Sequence, residues 1–138
     1  MRLALPLFLL MTAPAFAQEA DREIVSPDMF RDYAEGYTLY FEQGGEPFGT
    51  ERFDEGGATT WRFDDGSCID GAWRPHGAQI CFFYGDSQGV LCWRMYRREG
   101  VNGLFAELLG EGENAGMELH ITRRDKLPLL CGAPGTES

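Results

Sequence analysis

Apolar and polar residues alternate along most of the chain, and the period of that alternation changes only once. Between Pro27 and Glu35 it is helical: Met29, Phe30, Tyr33 and Ala34 fall at i, i+3, i+4 spacing and form one apolar stripe. Ser26 can cap the free N–H groups, Pro27 fits the first helical position and Asp28 suits the positive end of the helix dipole. Gly36 supplies the stop. The spacing predicts a short amphipathic helix, Pro27 to Glu35, packed on a sheet.

From Tyr37 the period is two. Tyr37, Leu39 and Phe41 alternate with Thr38, Tyr40 and Glu42, and Gly44-Gly45 ends that strand. Glu46 to Phe53 reads as the next strand, with a turn over Asp54 to Gly57. Thr59, Trp61 and Phe63 share one face of a third strand, closed by the turn signal Asp65-Gly66. Cys68 to Trp73 follows, then a turn at Pro75-His76-Gly77. Ile80, Phe82 and Tyr84 face one way and Cys81 and Phe83 the other. After a turn over Gly85 to Gly89, Leu91, Trp93 and Met95 share a face opposite Cys92. Arg94, Arg97 and Arg98 mark a strand expected to end in solvent. Leu104 to Leu109 and Met117 to Thr122 form a last hairpin, and the apolar tail Leu127 to Leu130 runs to Cys131. The expected fold is all-β: an antiparallel meander of about eight short strands, as a barrel or a sandwich, with one short N-terminal helix.

The densest stretch, Trp61 to Trp93, holds all 3 tryptophans and three of the 4 cysteines. Four cysteines allow three pairings. If Ile80 pairs with Trp93 and Phe82 with Leu91, Cys81 lies directly across from Cys92 on the opposite face. Cys68 is then left for Cys131, which would tie the tail to the central sheet. No C-x-x-C occurs, which argues against a thioredoxin-like redox site and a four-cysteine zinc site.

Residues 1–17 read as a secretory signal peptide. Arg2 is the charged start, Leu3 to Met11 the apolar run, and Ala15-Phe16-Ala17 the small-residue cleavage site. The apolar run is shorter than the ~20 residues a spanning helix needs. The expected mature chain is one β domain, 18–138, starting at Gln18, located in the periplasm or secreted, with no membrane span. Paired cysteines suit that compartment. The net charge is −10, and removing residues 1–17 takes away Arg2 and no acid. Such a charge disfavours nucleic acid and anionic lipid and is compatible with a basic partner.

The run W-R-F-D-D-G-S-C-I-D-G-A-W, followed by I-C-F-F-Y and C-W, resembles an uncharacterised family of small exported Gram-negative bacterial proteins with a W-x-F-x-D-G-x-C-x-x-G-x-W core. Leu129-Leu130-Cys131-Gly132 matches their C-terminal end, and the resemblance covers roughly Thr38 to Gly132. It implies export and a β fold, and no activity. Gly45-Glu46-Pro47-Phe48-Gly49 and Asp65-Gly66 to Trp73 also resemble MORN hairpins. Gly71-x-Trp73 is similar to the G-x-W of lipocalins, here displaced to mid-chain.

Candidate chemistry is sparse. A nucleophile needs a base beside it, and only His76 and His120 are available, without a G-x-S-x-G elbow. Asp64, Asp65 and Asp70 cluster around Gly66, where Asp-Gly pairs ordinarily form turns; their spacing fits no twelve-residue calcium loop. No metal or cofactor is expected. The aromatics are the richer feature: Trp61, Trp73, Tyr84 and Trp93 are the candidate ligand-binding residues, with core filling as the competing role. The expected function is a non-enzymatic binding or interaction domain, in one form an inhibitor of a basic secreted enzyme such as lysozyme. The alternatives are a small-ligand carrier with an aromatic-lined barrel and, less favoured, a hydrolytic enzyme.

Overall fold

The computed structural model describes residues 21–132. The expected leader, 1–17, and the expected first mature residue, Gln18, lie outside them. Strand β1 (Arg22–Ile24) and helix α1 (Pro27–Ala34) precede eight strands: β2 (Thr38–Gln43), β3 (Glu46–Phe53), β4 (Ala58–Arg62), β5 (Cys68–His76), β6 (Gln79–Phe83), β7 (Val90–Arg98), β8 (Leu104–Leu108) and β9 (Glu118–Asp125). From β2 onward each strand pairs antiparallel with the next, and β9 returns to β2. The result is a closed eight-stranded up-and-down barrel rather than a sandwich. Closure leaves no open edge among these eight strands. Strand β1 lies outside, paired with the end of β7 through Ile24↔Tyr96 and Arg22↔Arg98.

Local chemistry explains the connections. Gly44 and Gly45 both take positive φ, 58° and 84°, between the paired residues Gln43 and Glu46. A two-residue turn with that backbone matches the twist of the strands it joins, and glycine adopts it without steric cost. Ser26 accepts a hydrogen bond from the Met29 N–H, capping α1 as expected. The helix buries Phe30 and Ala34, while Met29, expected in the same stripe, is exposed.

The register fixes which side chains point inward. Leu39 and Phe41, Phe53, Trp73, Ile80 and Phe82, Met95, Leu104 and Ala106, and Leu119 and Ile121 form one core cluster, with Trp61 packed against it. Every barrel strand contributes, so side chains fill the lumen, as an eight-stranded barrel permits. Helix α1 covers one end. The Phe30 ring stands edge-on to Phe53 at 5.5 Å and to Trp73 at 5.3 Å.

Outside the barrel, Cys81 is paired with Cys92 and bonded to it, with Cα atoms 4.0 Å apart. Cys68 bonds Cys131. The segment 126–132 thereby becomes a strap over β3, β4 and β5. The Thr38 hydroxyl donates to the Leu127 carbonyl at 2.7 Å, Arg62 Nε to the Leu130 carbonyl at 2.9 Å, and the Gly132 N–H to the Gly66 carbonyl at 2.9 Å. Leu127 and Leu130 are nonetheless exposed, so covalent and polar ties hold the strap more than apolar burial does.

Three further expectations are corrected. Strand β5 runs through Pro75 and His76, and the turn is Gly77-Ala78, because Pro75 pairs with Ile80. Strand β9 extends to Asp125, where Thr38 of β2 pairs with it. The end of β7 is only partly in solvent: Arg97 is exposed, but β1 pairs along its edge and Arg98 bonds Glu118 at 2.8 Å.

Candidate functional site

The inward positions of β3 are Gly49, Glu51 and Phe53, and this phase places a carboxyl group inside an apolar barrel. Glu51 is 2% exposed. It lies opposite Leu39 on one side and Trp61 on the other. The Tyr84 phenol donates a hydrogen bond to Glu51 Oε1 at 2.6 Å. The Thr59 hydroxyl, also buried, sits near enough to bias the titration of both groups yet finds no hydrogen-bond partner of good geometry. Burial pushes the Glu51 carboxyl up to about 7, against the smaller opposing effect of the Tyr84 hydrogen bond. Burial, and then the neighbouring Glu51 charge, push the Tyr84 phenol far above its ordinary range. No salt bridge reaches Glu51 among the described residues.

Two glycines make this arrangement possible. A Cβ on Gly49 would collide with the indole of Trp61, and one on Gly71 would lie 2.5 Å from Tyr84 Cδ1. Trp61 and Tyr84 therefore lie against bare backbone, and Tyr84 reaches from just past the end of β6 toward β3 across that gap. The Trp61 indole in turn contacts Phe41 at 5.3 Å, Phe48 at 5.9 Å and Phe63 at 6.4 Å between ring centres.

The four candidate aromatics separate. Trp61 and Tyr84 flank Glu51 and are half-buried. Trp93 is half-buried on β7, paired with Ile80 and Leu108. Trp73 is buried near the helix-covered end, where Phe30 meets its ring and the Arg31 guanidinium lies 4.9 Å over it. Trp73 is thus part of the end closure.

The two histidines are apart. His76 is exposed at the end of β5. His120 stacks on Phe105 at 4.2 Å, and its Nε2 donates to the Asn102 carbonyl at 2.8 Å. Tyr96, on the same outer face, is fully buried and donates to Glu118, while Arg22 bonds Glu107 at 2.6 Å. That cluster fastens β1 to the barrel. Asp65 accepts from the Ser67 N–H and hydroxyl at 2.8 and 2.6 Å, and Asp70 from the Thr60 hydroxyl at 3.2 Å. The aspartates thus act as turn and cross-strand partners. No group of three metal-ligating side chains occurs among the described residues.

The barrel wall carries one further feature that the sequence reading missed. Strand β2 meets an irregularity on each side: one in β9 beside Tyr40 and Phe41, one in β3 beside Phe41 and Glu42. Thr122 and Phe48 are the unpaired residues. Both line an open cleft of about 410 Å³ together with Tyr40, Glu42, Phe63 and Asp64. Bulges bend a strand and re-aim its side chains, and they recur at barrel rims.

No family model, no curated protein and no solved structure matches the chain.

Proposed function

We propose that this is a non-enzymatic binding domain of the periplasm or the secreted milieu, which engages a protein partner through its outer surface. The favoured partner is a basic secreted protein, and the favoured consequence is inhibition of a cationic enzyme such as lysozyme. The observation that carries the reading is the filled lumen: α1 and all eight barrel strands send side chains into one packed interior. A carrier of small apolar ligands needs that volume empty, so the packing weighs against the carrier alternative.

Other features agree. The two disulfides are compatible with an oxidising compartment. The net charge of −10 favours encounter with a basic protein. An enzymatic role has little support: the histidines are separated, and Glu51 is enclosed away from any substrate.

The test is a low-salt pull-down from periplasmic extract, followed by calorimetric titration of the captured proteins and of lysozyme. The expected result is saturable binding to a basic protein that weakens as salt is raised. Failure of every basic protein to bind saturably at low salt would remove the reading. Tryptophan fluorescence against a panel of lipids and metabolites checks the carrier alternative, and no response is expected.

A further inference from the structure

We infer that the cleft at the two bulges of β2 is the seat for one cationic side chain, arginine or lysine, of the partner. The inference rests on the reading that the partner is basic. The first observation is the shape. Two separate irregularities, in β3 and in β9, open the wall on either side of Phe41 and Glu42, and their extra residues, Phe48 and Thr122, face the same cleft of about 410 Å³. Each bulge bends its strand and re-aims its side chains, and the two meet at Phe41.

The second observation is the chemistry of the lining. Phe63 is 41% exposed, although it continues the inward face of β4, and Phe48 is half-buried beside it. Exposed aromatic faces attract a cation and pack against its methylene stem. Glu42 and Asp64 border the cleft, and neither forms an ion pair among the described residues.

The two arginines of the lining are already engaged. Arg123 lies over the Tyr40 ring at 3.9 Å and pairs with Asp125 at 3.5 Å, and Arg62 donates through Nε to the strap at Leu130. Asp125 offsets Arg123, whereas the neutral Leu130 carbonyl leaves the Arg62 charge in place, so Glu42, Asp64 and Arg62 give the cleft a net charge of −1. A guanidinium or ammonium complements it, and a carboxylate or phosphate does not.

The experiment is an amide NMR titration of the exported protein with acetyl-Gly-Arg-Gly-amide and with its citrulline counterpart, which keeps the shape and lacks the charge. The arginine peptide should shift the amides of Glu42, Phe48, Phe63 and Thr122 saturably. The citrulline peptide, and a Glu42→Gln/Asp64→Asn double variant titrated with the arginine peptide, should each bind about threefold more weakly or worse. Both substitutions lie on the surface, and the variant's own spectrum confirms its fold. Equal responses to both peptides, shifts centred elsewhere, or an unaffected variant would overturn the inference. A basic protein that binds the double variant as well as the parent removes the cleft and keeps the basic-partner reading. An arginine peptide seated in the cleft while no basic protein binds does the reverse.

Discussion

The phenol of Tyr84, one residue past the end of β6, is hydrogen-bonded at 2.6 Å to the carboxyl of Glu51 on β3, a strand that shares no ladder with β6. Burial pushes the Glu51 carboxyl up to about 7 from an ordinary 4.5. A folded pKa above the unfolded one means that the native state binds the proton more tightly. Stability is then fully present below about pH 4.5, falls as pH rises through 7, and levels off above it. The whole drop is on the order of 3 kcal/mol. Asp65, held low by Ser67, acts in the opposite sense and only in acid. Urea unfolding at pH 5 and pH 8 should show the protein more stable at pH 5, and Glu51→Gln should remove most of the difference. An equal pH dependence in Glu51→Gln would show that Glu51 does not govern it.

Tyr84→Phe tests the same pair from the other side. It removes a donor from a buried acceptor, which costs about 1–3 kcal/mol. The phenol favours the charged carboxylate, so its loss raises the Glu51 pKa further. The penalty should therefore be larger at pH 8 than at pH 5, and the fall in stability should move to higher pH. A uniform penalty across that range would contradict the assignment.

The antiparallel meander was legible because its strands alternate so regularly, whereas its closure into a barrel rather than a sandwich rests on the β9–β2 pairing, which no local pattern encodes. Ile80, Phe82 and Tyr84 against Leu91, Trp93 and Met95 defined a face; that face also admits a register two residues away, and the ladder takes the one that joins Cys81 to Cys92. Depth was not legible in the same way. Trp73 and Trp61 both point inward, and only the docking of Phe30 shows that Trp73 belongs to the covered end. Glu51 carried a usable signal, since it falls in phase with Phe53 two residues on. That signal was masked by the bulge at Phe48, which breaks the alternation on its N-terminal side. Strand β1 has three residues and no apolar period; it is held by Arg22 pairing with Glu107, a contact across 85 residues that no local pattern encodes.

Gly49 and Gly71 should resist substitution for reasons of space. Each lies where an indole or phenol ring covers the backbone, and at Gly71 the added Cβ would also approach the Phe83 carbonyl at 2.9 Å. Gly49→Ala must push Trp61 off the wall, and overpacking of this kind costs about 1–3 kcal/mol. The expected result is a lowered unfolding midpoint with red-shifted tryptophan emission. Gly71→Ala should also loosen the Tyr84 bond and so alter the pH dependence set by Glu51. Gly112→Ala, with open space around the position, is the control and should change neither.

The two disulfides should differ in worth, and the difference should follow loop length. Cys68–Cys131 closes a separation of 63 residues, and Cys81–Cys92 one of 11. The chain-entropy model assigns about 4 kcal/mol to the first and about 3 kcal/mol to the second. The native state offers a route to reduce the first figure, because a freed strap can fray and regain entropy. Its hydrogen bonds at Leu127, Leu130 and Gly132 oppose that fraying. The β6–β7 hairpin, by contrast, keeps its ladder whether or not Cys81 and Cys92 are joined. Cys68→Ser/Cys131→Ser should therefore cost more stability than Cys81→Ser/Cys92→Ser. Chemical unfolding of both double variants, beside the parent at one pH, gives the comparison. A smaller loss on cutting the strap, together with protease cleavage confined to residues 126–132, would mean that the strap frays freely and that loop length does not set the order.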